Sequence, residues 1–118
     1  MMIDKFTKDK IKAHALEEDP KECCGLIVEK NKKLICVKAK NISPKDDMFK
    51  IDPKDYLIAS RLGEIVGTYH SHTDEKESFS EFDKFNSINH DLTYVLFNTK
   101  TNSISQFSPK TSQFNNYM

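Results

Sequence analysis

Two histidines one residue apart, His70-Ser71-His72, are followed by Ser80 and Asp83. On a β-strand alternate side chains leave by the same face, and two strand rises put their Cα atoms about 6.6 Å apart. Imidazoles on that spacing can converge on one cation. Seven residues separate His72 from Ser80, enough for a loop that folds a following helix back over the strand end. A helix opening at Ser80 carries Asp83 in its first turn. Two imidazole nitrogens and one carboxylate oxygen leave the fourth tetrahedral position to water, the layout of a catalytic zinc site. Zinc so held lowers the pKa of its water toward about 7 and polarises a carbonyl. Each half of the pattern also has a plainer reading. Ser-x-x-Asp resembles a helix capping box, and a His-x-His pair on a strand is also a surface or core feature. The two together, at this spacing, favour the metal. Capping and ligation are compatible, because Asp83 need only turn its carboxylate to the ion.

Hydrolysis at such a site needs a proton acceptor beside the water. Glu22 is the candidate, since it precedes Cys23-Cys24-Gly25, where a strand begins after a Pro-terminated helix. By position alone it also reads as a solvated surface carboxylate. Glu64 is a rival, but it stands six residues before His70 on the same strand, about 20 Å away.

The elements that must position these groups follow from local patterns. Residues 8–18, after Thr7, read as a helix with Ile11, Ala15 and Glu18 at helical spacing, stopped by Asp19-Pro20. Residues 25–29 and 33–39 read as a hairpin around the turn 30–32. A loop at 41–47 leads to a short strand at 48–51. Asp52 as N-cap and Pro53 at the first position open a helix to about Leu62, and Gly63 ends it. Residues 64–72 form the strand with the histidines, 73–79 a loop, 80–89 a helix and 92–97 a buried strand. After a turn at 98–102, residues 103–107 alternate like an edge strand, whose free side can pair with another chain. The expected class is α/β, one domain over 1–109 with a polar, frayed tail at 110–118.

Composition narrows the function classes. A chain of 118 residues suits one domain with one core. Charged residues are 31% of it, yet 8 Phe and 4 Tyr sit in short apolar runs, which points to a folded chain rather than a disordered one. No apolar run approaches the 18 residues of a membrane span, and the N-terminus has no apolar signal region. Net charge is zero, and Arg61 is the one arginine among 18 basic residues. Without a basic excess or guanidinium forks, nucleic acid is not an expected partner. Three cysteines, two of them adjacent, make a disulfide framework unexpected and a reducing cytoplasm the expected compartment. Cys23, Cys24 and Cys36 lack zinc-ligand spacing and read as buried packing. The alternative is that Cys23 or Cys24 lines the site and makes it sensitive to oxidants. His14 and His90 read as helix-surface or cap residues, Asp74 and Glu75 as solvated, and Tyr94 and Phe97 as core.

The run His70-Ser71-His72, seven residues, Ser80, two residues and Asp83 resembles the His-x-His-x7-Ser-x2-Asp signature of JAMM (MPN+) metallopeptidases. Pro20-Lys21-Glu22-Cys23-Cys24-Gly25 resembles the segment that carries that family's catalytic Glu. The resemblance spans about residues 11–107. Through residues 48–56 and 63–67 the chain is most similar to the prokaryotic and phage tail-assembly branch. Those phage proteins often carry a second, cysteine-peptidase domain, which these 118 residues are not expected to hold. Thr73 and Phe79 stand where the family usually has Pro, and the long insertions of eukaryotic deubiquitinating members are missing.

The resemblance implies a single-domain MPN fold, a mixed curved β-sheet flanked by helices. It implies Zn²⁺ on His70, His72 and Asp83. Glu22 would take a proton from the attacking water and return it to the leaving amine, and Ser80 would donate a hydrogen bond to the oxyanion, a contact worth on the order of 100-fold in rate. The expected function is zinc-dependent hydrolysis of a peptide or isopeptide bond, in phage tail assembly or in removal of a ubiquitin-like protein. A tail protein or a ubiquitin-like protein is then the expected partner. The alternatives are a catalytically silent MPN-type scaffold and a zinc hydrolase of small molecules. Retention of all four site residues argues against the first. The Pro-Cys-x-x-Cys of the deaminase sites compared for the second is absent.

Overall fold

Helix α1 (Lys5–Glu18) is followed by the hairpin β1 (Cys24–Lys30) and β2 (Lys33–Ala39), helix α2 (Pro53–Leu62), and strands β3 (Glu64–His72), β4 (Thr93–Asn98) and β5 (Ser103–Phe107) in the computed structural model. Residues 3–43, 50–73 and 92–108 are described. The strands form one sheet in the order β2-β1-β3-β4-β5. All neighbours are antiparallel except β3 and β4, which run parallel. The chain is thus the expected α/β domain, a mixed sheet flanked by helices. The expected helix at 80–89 lies outside the described residues.

α1 starts three residues earlier than its apolar spacing suggests. The Asp4 carboxylate accepts from Thr7 N at 2.7 Å, and the Asp4 carbonyl accepts from Lys8 N at 3.0 Å. Asp4 is therefore the N-cap. Thr7 falls inside the first turn and is buried with Ile11, His14 and Ala15. That stripe packs on Ile3, Cys23, Ile27, Tyr69, Val95 and Phe97, which form the core on one face of the sheet. The opposite face carries a smaller cluster of Leu26, Val28 and Ala59, the last from α2. All six residues of β4 are buried, including Tyr94 and Phe97.

The hairpin turns on Asn31 and Lys32, both at positive φ (53° and 65°), the two-residue primed turn that suits strand twist. Asp52 caps α2 through Lys54 N at 3.0 Å, with Pro53 leading the helix. The strand expected at 48–51 is not seen in the described part of that segment. Ile51 makes an isolated bridge to Asn41, because Lys50 O and Asp52 N bond Ile42 N and Lys40 O, one residue to either side. Met48 and Phe49 lie outside the described residues.

Gly63 does end α2, but in extended backbone (φ 168°) rather than a left-handed cap. Its constraint is space: a Cβ there would meet Glu29 O at 2.6 Å and Val28 Cγ1 at 2.8 Å. Gly25 is tighter still. The buried Tyr69 ring lies across it, and a built Cβ would overlap Cε2, Cζ and Oη of that ring. Gly25→Ala is expected to destabilise the fold by about 1–3 kcal/mol, the usual cost of overpacking, as a lower urea midpoint with unchanged m-value.

Candidate metal centre

β3 runs out at His70, Ser71 and His72. Its register with β1 sets Cys24 opposite His70 and Gly25 opposite Tyr69. Pairing continues one residue past the end of β1: Ser71 N donates to Cys23 O at 3.1 Å, and Cys23 N donates to Ser71 Oγ at 2.8 Å. The next step along this register brings Glu22 level with His72. Strand alternation then puts Glu22, Cys24, His70 and His72 on one face and Cys23, Tyr69 and Ser71 on the other. His70 is 1% exposed and Glu22 7%, while His72 is half-buried. The two imidazole rings lie 5.1 Å apart between centroids, tilted by 59°.

Neighbouring elements hold this strand end in place. On the β4 side, Leu96 pairs with His70 and Asn98 with His72. Thr99 donates to the His72 carbonyl twice, from N at 3.0 Å and from Oγ1 at 3.3 Å. Asn98 Oδ1 accepts from Lys100 N and Thr101 N at 2.8 and 3.1 Å, which shapes the turn behind Thr99. On the β1 side, Asn41 Nδ2 donates to Glu22 O at 2.8 Å. Asn41, Thr99 and the hydroxyl of Ser71 escaped the sequence reading. Ser71 alone had a signal, its place between the histidines.

Of the expected site residues, His70 and His72 lie ring against ring, and the strand register places Glu22 at the same end of the same sheet face. Ser80 and Asp83 lie outside the described residues, as do Asp74, Glu75 and His90. Among the described residues no three His, Cys, Asp or Glu side chains gather around one point. The pair of imidazoles nonetheless fits zinc in kind and spacing. Both are borderline-soft nitrogen donors, and rings 5.1 Å apart can each turn a nitrogen to an ion with bonds of about 2.0–2.1 Å. Glu64 is exposed at the far end of β3, paired with Glu29, so it is no rival to Glu22.

The cysteines behave as packing. Burial pushes the Cys23 thiol up to about 11, Cys24 to about 12 and Cys36 to about 11, and all three are free. Cys24 shares the face of the histidines, but its Sγ is 3.9 Å from Ala39 O, the carbonyl it donates to. Thiols held this far from ionisation are poor nucleophiles.

The family of prokaryotic homologues of the JAB domain matches residues 5–110. Tail tip assembly protein K of Escherichia phage N15 is 38% identical over 79 residues, which are 66% of this chain and 32% of that protein. The chain therefore spans about a third of that relative's length. A solution structure from Desulfitobacterium hafniense superposes with a TM-score of 0.65 at 21% identity, over 86% of this chain and 77% of that one. A JAB1/MPN domain protein from Archaeoglobus fulgidus gives 0.58 at 18% identity, over 87% and 83%. A protein from Salinibacter ruber gives 0.61 at 18%, over 92% and 81%. At these identities the likeness is one of fold. Among the described residues no helix is long and apolar enough to cross a membrane.

His14 does not sit on the helix surface as expected. It is 2% exposed, with Nδ1 2.7 Å from the Tyr69 hydroxyl and the rings edge-on at 76°. Its place three residues after Ile11 already put it on the apolar stripe. It faces the α1 side of the sheet, away from His70 and His72. Burial lowers its pKa below 6.5, with Glu18 opposing. The unfolded chain therefore takes up the proton first as pH falls, so this contribution to stability is intact above about 6.5 and is lost on acidification through the lower, folded value. Wild type is expected to lose more stability between pH 7.5 and pH 5.5 than His14→Gln, read from urea midpoints at the two pH values.

Proposed function

Because the chain belongs to the family of prokaryotic homologues of the JAB domain, we propose that it is a zinc-dependent metallopeptidase hydrolysing a peptide or isopeptide bond. The observation that supports this reading is the pair of imidazoles 5.1 Å apart at a strand end where the register between β1 and β3 brings the buried residue Glu22 level with them. His70 and His72 hold the ion, with Asp83 as the third ligand. Zinc supplies Lewis acidity toward the scissile carbonyl and acidifies water at neutral pH.

The chain's own residues do the rest. Glu22, buried and tethered through its backbone, accepts a proton from the attacking water and delivers it to the leaving nitrogen. Burial keeps bulk water from competing for that proton and strengthens each charge interaction around it. Ser80 donates a hydrogen bond to the oxygen on which negative charge develops. The likeness to tail tip assembly protein K favours a protein of phage tail assembly as substrate, with a ubiquitin-like protein as the competing class.

Metal analysis of zinc-loaded, gel-filtered protein should give about one zinc per chain, and His72→Ala should abolish it. Glu22→Gln should keep the zinc and lose about 100-fold or more of the hydrolysis of a proteome-derived peptide pool followed by mass spectrometry. Wild type that holds no stoichiometric zinc would instead mark the chain as a silent scaffold.

A further inference from the structure

The peptide group joining Glu22 to Cys23 is held at both of its polar ends by side chains. Its oxygen accepts from Asn41 Nδ2 at 2.8 Å, and its N–H donates to Ser71 Oγ at 2.8 Å. In a regular antiparallel pair, Cys23 N would bond the main-chain carbonyl of Ser71, since paired residues exchange both bonds. Here one half of that exchange is present, Ser71 N to Cys23 O at 3.1 Å, and the hydroxyl takes the other half. The backbone thus leaves the ladder at Glu22 without losing its anchor.

Both holding side chains are themselves fixed. Ser71 is fully buried in the strand that bears both histidines. Asn41 Oδ1 accepts from Ser43 N at 3.0 Å and from Lys50 N at 2.9 Å, so three bonds set its amide plane, and its backbone bridges Ile51. A peptide plane held at O and at N–H has no freedom to rotate. That fixes ψ of Glu22 and φ of Cys23, and with them the direction in which the Glu22 side chain leaves the backbone.

We infer that Asn41 and Ser71 are positioning residues for Glu22, a two-sided clamp on one peptide group that keeps its carboxylate turned to the face of His70 and His72. The inference rests on the role proposed for Glu22. Ser71 then has two duties: it sits between the histidines and ties the segment of the base to the same strand.

The test uses the whole chain, first without metal. Residual dipolar couplings of the Glu22 Cα–Hα and Cys23 N–H bonds should fit the rigid strands in wild type and shrink by averaging in Ser71→Ala and Asn41→Asp. Asn41→Asp removes the donor and keeps the acceptor that Ser43 and Lys50 use. The Cys23 amide should exchange about tenfold or more faster in Ser71→Ala, while Leu26, Ile27 and Val28 stay protected. Ser71→Thr, which keeps the hydroxyl, should restore both readouts. In zinc-loaded protein, kcat on the peptide pool should fall about 10- to 100-fold in both clamp variants, with KM and zinc content unchanged. Glu22 couplings that neither variant alters would overturn the clamp. So would wild-type kcat in both variants when Glu22→Gln is inactive. Full activity of Glu22→Gln would instead sink the assignment of the base, and the couplings would still decide whether the clamp holds the peptide group.

Discussion

Everything at the candidate site depends on the register between β1 and β3. Side chains alternate along both strands, so the pairing of Cys24 with His70 decides which residues meet above the sheet. Glu22 and the two histidines share a face because 22, 24, 70 and 72 have the same parity in that pairing. A slip of one residue would send Glu22 into the α1 core and leave the imidazoles facing Cys23. The register is protected from both sides. Leu26, Ile27 and Val28 are buried in the strand that would have to slide, and the tight turn at Asn31-Lys32 fixes β1 against β2.

The two faces of β3 do different work. One bears His70 and His72. The other sends Tyr69 against α1, where its hydroxyl meets His14 in the buried core. Burial raises the Tyr69 pKa well above its ordinary value, so the hydroxyl stays protonated and the pair stays neutral near pH 7. The strand end is thus anchored from below by packing, from one side by Thr99 and from the other by Cys23. A site built on a strand so held keeps its geometry better than one built on loops.

Local patterns were legible where local physics decides. The strand with the histidines, the α2 cap at Asp52-Pro53 and the edge strand at 103–107 are found where apolar alternation and turn residues put them. Where the deciding partner is remote, the sequence was silent. Nothing near His14 announces a tyrosine 55 residues away. Nothing near Asn41 announces that its amide reaches back to Glu22. Gly63 was placed correctly at the end of α2, but what it does there, yielding room to Glu29 and Val28, depends on a strand remote in sequence. The start of α1 went to Asp4 because a carboxylate caps better than apolar spacing can foretell. At the candidate site, the placing of both histidines on one strand end was legible in their spacing, but the two side chains that bond the Glu22–Cys23 peptide group were not.

The Tyr69 ring lies over Gly25, and that closeness reaches further than one glycine. Positions 25 and 69 draw on a single allotment of volume, so a homologue with a larger residue at 25 must have surrendered the ring at 69. With the ring goes the hydroxyl that shares a hydrogen bond with His14, and an imidazole buried at 14 then loses the partner of its Nδ1. Three positions scattered along the chain should therefore drift through evolution as a set, glycine, tyrosine and histidine retained together or exchanged together.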